Sequence, residues 1–315
     1  MTDGGARAQA INAGDRRALA QALTLIERGG PQAKALRRNL IPRADTRVIG
    51  ITGAPGAGKS TLTTALALEL RRRGLTVGIL AIDPSSPLSG GSILGDRIRM
   101  YDLAGDSGVF IRSMANRGRY GGIAGATADA IRALSAAGYA VVLLETVGAG
   151  QSDVAVADVA ETVLLVEAPG MGDEVQSIKA GLLEVADVIA VSKSDRPDAN
   201  ATLQQLRALV HMQHPSGDAW PVAVCGVSAL ANTGIPGLVD ALLEHGTWLA
   251  AHPSTPRQRH RRVVALQRAL ETLLLESLSI TPQWNSALES LAHPDSDVDD
   301  LAEQLLGSWR ISADS

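Results

Sequence analysis

Short apolar runs alternate along the chain with longer segments whose apolar residues recur every three or four positions. Such runs predict buried strands, and such segments predict amphipathic helices. Seven runs predict strands: RVIGITG (47–53), TVGILAID (76–83), VFIRS (109–113), YAVVLLETVG (139–148), TVLLVEAPG (162–170), DVIAVSKSD (187–195) and VAVCGVSA (222–229). Five segments predict helices: STLTTALALELRRRG (60–74), ATADAIRALSAAG (126–138), EVQSIKAGLLEVA (174–186), NATLQQLRALVHM (200–212) and IPGLVDALLEHGTWLAA (235–251). Strands that are apolar throughout need cover on both faces, so the alternation predicts an α/β domain with a mostly parallel sheet.

Both ends of the chain lack strand patterns. Residues 14–28 have helical spacing and stop at Gly-Gly-Pro, and 31–40 predict a second short helix. After Ala251 the polar stretch PSTPRQRH predicts a linker, followed by helical patterns at 261–279 and near 283–308. Such an appendage either joins a second subunit or packs back on its own domain. The expected division is an N-terminal helical extension, a strand-bearing domain and a C-terminal helical arm: residues 1–46, 47–251 and 252–315.

Composition narrows the class of protein. The 315 residues carry a net charge of −4, which argues against a nucleic-acid-binding protein with a broad basic surface. The single cysteine, Cys225, excludes an intramolecular disulfide and a Cys-rich metal site. No apolar run approaches the roughly 20 residues that span a membrane. The amphipathic, Arg-bearing N-terminal segment is compatible with a transit peptide, but a folded helix ending at Gly29 explains it as well, and we expect a soluble cytoplasmic protein.

The loop after the first predicted strand carries a phosphate-binding pattern. GAPGAGKS matches G-x-x-x-x-G-K-[ST] between an apolar strand and a helix. The backbone N–H groups of such a loop surround phosphate oxygens, Lys59 adds a positive charge at the β- and γ-phosphates, and the Ser60 hydroxyl can ligate Mg²⁺. The predicted phosphate-binding residues are Gly53, Ala54, Pro55, Gly56, Ala57, Gly58, Lys59, Ser60 and Thr61.

Acidic residues end two of the predicted strands. Glu145 follows VVLL, where a Walker-B carboxylate would face the phosphate-binding loop and reach Mg²⁺, and Gly148 would let a backbone N–H approach the γ-phosphate. Asp83 ends the second strand, on the edge of the sheet where open α/β folds bind ligands. Asp96 lies in the Ser- and Gly-rich segment beyond it. Local sequence equally allows Glu145 or Asp96 to be a helix cap.

The stretch VSKSD (191–195) resembles the guanine-reading pattern Asn-Lys-x-Asp, with Ser192 in place of the Asn. The Asp195 carboxylate would accept hydrogen bonds from the ring N–H and the exocyclic amino group of guanine. Adenine would leave that carboxylate unpaired, at a cost of about 1–3 kcal/mol. Lys193 would lie over the base plane. A second loop, after the last strand, resembles the one whose backbone N–H meets the guanine carbonyl oxygen: Ser228, Ala229 and Leu230.

Together these motifs resemble the MeaB/ArgK-type GTPases, which belong to the SIMIBI class of P-loop GTPases. The resemblance covers roughly residues 14–250 and rests on these blocks: GDRRALAQALTLIE, GITGAPGAGKSTL, DPSSPLSGGSILGDRIRM, ETVGAGQSD, APGMGDEVQSIKAG and VSKSD. It implies GTP, GDP and Mg²⁺ as ligands. It also implies a chaperone for an adenosylcobalamin-dependent acyl-CoA mutase, acting as a homodimer joined by its C-terminal arms.

The resemblance assigns roles to several segments. Asp83, Asp96 and Glu145 would form the acidic cluster around the metal. Three segments would be switches I, II and III: 83–99, 145–153 and 168–181. In the third, Gln176 and Lys179 are the notable polar residues, and Lys179 is a candidate, beside Lys59 and Glu145, for a part in hydrolysis. The sequence departs from the family at Ser192, in the guanine-reading pattern. It also departs at Arg119-Tyr120 in NRGRYGG (116–122), a candidate partner-sensing loop, which leaves the identity of the mutase open.

Two other functions fit parts of the sequence. A nickel or zinc delivery GTPase would need a metal-binding cluster, and His211 and His214 are spaced three apart on a predicted helix without a thiol partner. A P-loop small-molecule kinase would share the phosphate-binding loop. It would not need both Ser-Lys-x-Asp and Ser-Ala-Leu at the ends of the last two strands.

Overall fold

The structure is a computed structural model, and it resolves two compact units, residues 1–261 and 262–315. It describes residues 3–84, 103, 105–116, 122–146, 156–170, 180–212, 219–293 and 296–313. Within those ranges only the backbone is described at residues 83–84, 115–116, 122–124, 180 and 309–313. In the described part of the chain, no helix is both long enough and apolar enough to cross a membrane.

All seven predicted strands are present. They are β1 (Arg47–Thr52), β2 (Val77–Pro84), β3 (Val109–Asn116), β4 (Val141–Thr146), β5 (Thr162–Glu167), β6 (Val188–Val191) and β7 (Ala223–Gly226). The helices of the first unit are α1 (Asp3–Asn12), α2 (Arg16–Arg28), α3 (Pro31–Asn39), α4 (Lys59–Arg72), α5 (Gly122–Ala136), α6 (Ala180–Val185), α7 (Ala199–Met212) and α8 (Ile235–Ala251). Helix α9 (Pro256–Ser279) begins in the first unit and ends in the second, which also contains α10 (Pro282–Ser290) and α11 (Val298–Ala313).

The strands form one sheet in the order β3-β2-β4-β1-β5-β6-β7, and every neighbouring pair is parallel. The predicted mostly parallel α/β sheet is therefore confirmed. Strand β1 lies in the middle, between β4 and β5, so successive strands are added on both of its sides. This reversal of strand order opens a crevice at the carboxyl ends of the central strands, where open α/β sheets bind their ligands.

The sheet is buried on both faces because its apolar strands alternate their side chains between two cores. Val142 and Leu144 of β4 face one core, which contains residues of α1, α2, α3 and α5. Val141 and Leu143 face the other, which contains residues of α4 and α8. The N-terminal helices thus belong to the core of the first compact unit.

Three features at the chain ends differ from the sequence-based expectation. Helix α1 was not expected, because DGGARAQAIN has two glycines and few apolar residues, but Ala8 and Ile11 are buried in the core. Helix α9 begins at Pro256, inside the expected linker, because proline is favourable in the first turn of a helix. The pattern near 283–308 forms two helices, α10 and α11, and Pro294 lies in the sequence between them.

Candidate nucleotide-binding site

The loop between β1 and α4 has a backbone that requires glycine at defined positions. Gly53 has a φ of 141°, and a Cβ there would lie 2.1 Å from the carbonyl oxygen of Val166 in the neighbouring strand β5. Gly56 and Gly58 also have positive φ values, of 79° and 90°. Loops of this kind form concave sets of N–H groups that bind anions. Gly58 is the N-cap of α4, so the loop ends at a helix N-terminus, where negative charge is favoured.

The two residues that begin α4 carry the polar side chains of the loop. Lys59 is buried, and its ammonium group donates to the carbonyl oxygens of Gly53 at 2.7 Å and Ala54 at 3.0 Å. The Ser60 hydroxyl donates to Oε1 of Glu145 at 2.5 Å. Glu145 is buried in β4, which pairs with β1, and this pairing brings the Walker-B carboxylate to the phosphate-binding loop.

The chemistry of these side chains fits Mg²⁺. The Ser60 hydroxyl and the Glu145 carboxylate are hard oxygen donors, and they meet at the N-terminus of α4 beside the phosphate-binding loop. Mg²⁺ usually keeps several waters and substrate phosphates in its shell and takes only one or two protein ligands. Among the described residues there is no group of three or more His, Cys, Asp or Glu placed to hold a metal ion. The pair therefore suits a cation that arrives with a nucleotide.

The loop after β6 is attached to the phosphate-binding loop by two side chains. The buried Ser192 hydroxyl donates to the carbonyl oxygen of Ala57 at 2.6 Å. Lys193 adopts a positive φ of 51°, and its ammonium group donates to the carbonyl oxygen of Gly56 at 3.0 Å. The Ser192 hydroxyl, at the position of the Asn in the guanine-reading pattern, therefore binds the phosphate-binding loop.

The loops after β6 and β7 lie side by side. The backbone N–H of Ser194 donates to the carbonyl oxygen of Val227 at 3.0 Å. A hydrogen bond from the Ser228 hydroxyl lowers the pKa of the exposed Asp195 carboxyl below its usual value. Asp195 thus stays ionised at neutral pH, as an acceptor for two guanine donors must. Ser228 also pairs with Thr233 across a short loop that leaves Leu230 exposed.

The sequence that forms this site matches a known family of proteins. The family model described as "Methylmalonyl Co-A mutase-associated GTPase MeaB" matches residues 19–283 of the chain. The chain belongs to this family. The protein is accordingly a GTPase.

Relatives of this MeaB-family GTPase span bacteria, archaea and a mammal. The chain is 38% identical over 277 residues to the GTPase ArgK of Escherichia coli, covering 85% of this chain and 84% of that protein. It is 45% identical over 253 residues to a protein of Pyrococcus abyssi named as a GTPase, covering 79% and 78%. A Mus musculus protein, "Methylmalonic aciduria type A homolog, mitochondrial", is 34% identical over 271 residues, covering 79% of this chain and 65% of that protein. A solved structure described as a LAO/AO transport system kinase has a TM-score of 0.68 at 26% identity, covering 98% and 97% of the two chains.

Most of the predicted site residues fall within the described part of this MeaB-family GTPase, and they lie along one edge of the sheet. Four loops or strand ends converge there: the 53–61 segment after β1, Glu145 at the end of β4, the 192–195 segment after β6 and the 228–230 segment after β7. Asp83 also lies near the end of its strand on this edge, two residues beyond the position that pairs with Glu145, and its side chain is not described. The other predicted residues lie outside the described residues: Asp96, Gly148, Gln176, Lys179 and His214.

Two polar residues of this edge escaped the sequence analysis. Thr52 and Thr146 are buried at the ends of β1 and β4, and their hydroxyls lie 3.5 Å apart. The Thr146 hydroxyl also donates to the carbonyl oxygen of Ile51 at 3.4 Å. A polar residue at the carboxyl end of an apolar strand was the available signal, because buried hydroxyls need hydrogen-bond partners.

Proposed function

We propose that this GTPase is a chaperone that assists the loading and protection of an adenosylcobalamin-dependent acyl-CoA mutase. The match of the family model over residues 19–283 carries the proposal, since that family is named for its association with methylmalonyl-CoA mutase. The name of the mouse relative refers to methylmalonic aciduria, which is consistent with the same chemistry. In this proposal, GTP binding and hydrolysis reposition the switch segments, which gate delivery of the cobalamin cofactor.

The proposed nucleotide site uses the described edge of the sheet. The 53–61 segment and the N–H of Gly148 bind the phosphates, with the charge of Lys59 beside the β- and γ-phosphoryl groups. Mg²⁺, when bound, neutralises charge on the phosphate oxygens, and the residues proposed to hold it are Ser60, Asp83, Asp96 and Glu145. Asp195 selects guanine, Lys193 covers the base and the 228–230 loop meets the guanine carbonyl oxygen.

The proposed turnover is slow for the isolated protein and faster with the mutase. Phosphoryl transfer to water needs an oriented water molecule and added positive charge in the transition state. Lys179, in the third switch segment, is our candidate for that charge. If Lys179→Ala left mutase-stimulated hydrolysis unchanged, this role would be rejected.

The proposed homodimer uses the C-terminal arm, residues 252–315. The part of α9 that lies in the second unit exposes Val263, Leu266, Leu270 and Leu273, whose side chains are 46–61% exposed. Their spacing of three, four and three residues is the a/d pattern of a coiled coil, which pairs with another helix. Such a stripe in water is typical of a surface that is covered in an oligomer.

The test is GTP hydrolysis by the purified full-length protein with and without a purified mutase. Methylmalonyl-CoA mutase is the first partner, and isobutyryl-CoA and 2-hydroxyisobutyryl-CoA mutases are the next. We expect co-elution and at least a roughly tenfold faster hydrolysis, because an added positive charge at the transition state accelerates other GTPases by more than that. A Lys59→Ala variant controls for contaminating activity. Neither stimulation nor co-elution with any of the three mutases would reject the chaperone role while leaving the GTPase assignment intact.

The alternative of a small-molecule kinase has one observation in its favour, since the solved structure with a TM-score of 0.68 is described as a transport system kinase. Competition experiments separate the two functions. A kinase of this kind would bind ATP in competition with GTP and transfer phosphate to a small acceptor. The nickel or zinc delivery alternative would instead show a tight metal site in a titration of the nucleotide-free protein.

A further inference from the structure

A partly buried polar cluster lies at the amino edge of the sheet, at the opposite ends of the strands from the nucleotide site. Its centre is the carboxylate of Asp187, the residue before β6. Nη1 of Arg257 donates to both carboxylate oxygens, at 2.8 and 2.7 Å, and to the carbonyl oxygen of Val185 at 2.9 Å. The backbone N–H of Val163 donates to the same carboxylate at 2.7 Å. These bonds hold Arg257, which is the second residue of α9, against the first compact unit.

His245 of α8 is the third ionisable member of this cluster. Its Nε2 lies 3.4 Å from the Asp187 carboxylate, and its Nδ1 lies 2.8 Å from the Thr162 hydroxyl. The rings of Trp220 and Trp248 cover the imidazole, with centroids at 4.9 and 6.0 Å. Burial lowers the pKa of His245 below its usual value; the Asp187 charge opposes this shift and the Arg257 charge adds to it. The imidazole is therefore neutral at neutral pH, and the single carboxylate is available to Arg257.

We propose that His245 is a pH-sensitive switch that controls whether the first turn of α9 is held against the sheet of the first compact unit. While His245 is neutral, Asp187 pairs with Arg257 and the first turn is held. Protonation places a second buried cation beside one carboxylate, and two cations in such a site repel each other. Arg257 is the one that leaves, because its side chain is 28% exposed and its buried Nε and Nη2 have no hydrogen-bond partner among the described residues, whereas the side chain of His245 is 2% exposed. The start of the helix that leads into the second unit is then released.

The direction of the pH effect follows from the lowered pKa of His245. A buried group whose folded-state pKa is depressed binds fewer protons in the folded state than in the unfolded state. The ion pair between Asp187 and Arg257 is therefore intact when the pH is above about 6.5, the usual pKa of histidine. It is lost as the pH falls below that value. The charged groups that face His245 are Asp187 before β6 and Arg257 of α9. Two other histidines lie near the start of α9 and need controls: His252, stacked on Trp248, and His260, 4.0 Å from Asp158.

Hydrogen–deuterium exchange of the full-length protein tests the switch. The readout is the protection of residues 253–266, corrected for the intrinsic effect of pH, at about pH 7.5 and about pH 5. We expect about tenfold lower protection of this peptide in acid, with no change in residues 59–72 of the phosphate-binding helix. In the Arg257→Ala variant, we expect residues 253–266 to be unprotected at both pH values. In the His245→Gln variant, whose side chain cannot be protonated, we expect the same residues to be protected at both pH values.

Control variants and a second measurement keep the inference open to refutation. His252→Gln and His260→Gln should retain the wild-type response to pH. Titration of the His245 ring by NMR in the wild-type protein should have the same midpoint as the loss of protection, whether or not His245→Gln folds well. Protection that does not depend on pH, a response that persists in a folded His245→Gln variant, or two different midpoints would each overturn the proposal. The test is independent of the proposed mutase partner.

Discussion

The two ends of strand β6 use polar residues in opposite ways. At the carboxyl end, Ser192 and Lys193 bind carbonyl oxygens of the phosphate-binding loop, and Asp195 remains exposed beside Ser228. At the amino end, Asp187 is enclosed by donors from four other segments of the chain: Arg257, His245, Val163 and the ring N–H of Trp220, which donates to its backbone carbonyl oxygen. One end is built to leave an acceptor for a ligand, and the other satisfies its acceptors within the protein.

The polar residues at one end of β6 serve nucleotide binding, and those at the other end serve the stability of the fold. Polar groups at the carboxyl end of β6 cost the protein little free energy when no ligand is present, because their side chains are solvated or hydrogen-bonded to the backbone. The amino-end carboxylate has given up most of its water, so its energy depends on its partners. Substitutions at the first end should change nucleotide binding and hydrolysis, and substitutions at the second should change folding. Four experiments test this comparison, from the largest expected effect to the smallest.

Replacement of Lys59 by alanine should have the largest effect on hydrolysis. Removing one preorganised positive group from a phosphoryl-transfer site costs about 10²–10³ in kcat, or roughly 3–4 kcal/mol. The free energy of unfolding should change less than hydrolysis does, since the ammonium group donates to two carbonyl oxygens of the loop itself. Steady-state GTP hydrolysis and thermal unfolding measure the two effects. Lys34→Ala, in helix α3, is the matched control and should retain wild-type hydrolysis.

Replacement of Asp187 by alanine should have the largest effect on folding. Breaking this partly buried pair removes the carboxylate partner of Arg257 and the acceptor of the Val163 N–H, which costs about 3 kcal/mol in the free energy of unfolding. Urea unfolding measures this cost. Asp240→Ala removes an ion pair to Arg73 whose acid is 56% exposed, so it should cost less than about 1 kcal/mol. Equal losses in the two variants would contradict the idea that the amino-end cluster acts as a buried unit.

Replacement of Asp195 by asparagine should change which base is bound. The amide offers a donor where guanine also presents donors, so affinity for GDP should fall by about 1–3 kcal/mol, or roughly 5- to 150-fold. Xanthine presents an acceptor at that position and should be bound better than by the wild-type protein. Titrations with GDP and XDP measure the ratio, and Asp198→Asn in the same loop is the control. An unchanged preference for guanine would show that Asp195 is not the base reader.

Replacement of Ser192 by alanine should have the smallest effect. It removes one hydrogen bond to Ala57, which is worth about 1 kcal/mol, or roughly fivefold in affinity for GDP. Because the bond fixes the phosphate-binding loop and not the base, affinities for GDP and XDP should fall by the same factor. Ser192→Asn, which restores the usual residue, should bind GDP modestly more tightly than the wild-type protein. A selective loss of GDP binding in the alanine variant would mean that Ser192 contacts the base.

The sequence by itself determined the sheet and the positions of its ligand-binding loops. Apolar runs of the right length predicted all seven strands, since a strand buried on both faces leaves no choice of polar positions. The phosphate-binding loop was equally visible, because residues that are neighbours in sequence, from Gly53 to Ser60, perform its function together. Helix α1 was missed because its stability comes from packing: the Cβ that Gly4 lacks would lie 3.5 Å from Ala35, so α1 approaches α3 closely.

Only the tertiary structure decided how distant polar residues share their hydrogen bonds. The Ser192 hydroxyl could have served a base or the phosphate-binding loop, and its orientation depended on how close Ala57, 135 residues earlier in the chain, lies to the end of β6. The cluster around Asp187 gave no signal in the sequence, since Thr162, His245 and Arg257 lie in segments that are far apart in the chain. Local patterns report burial and chain direction. Pairing between buried polar groups depends on which strands and helices become neighbours, and no local pattern contains that information.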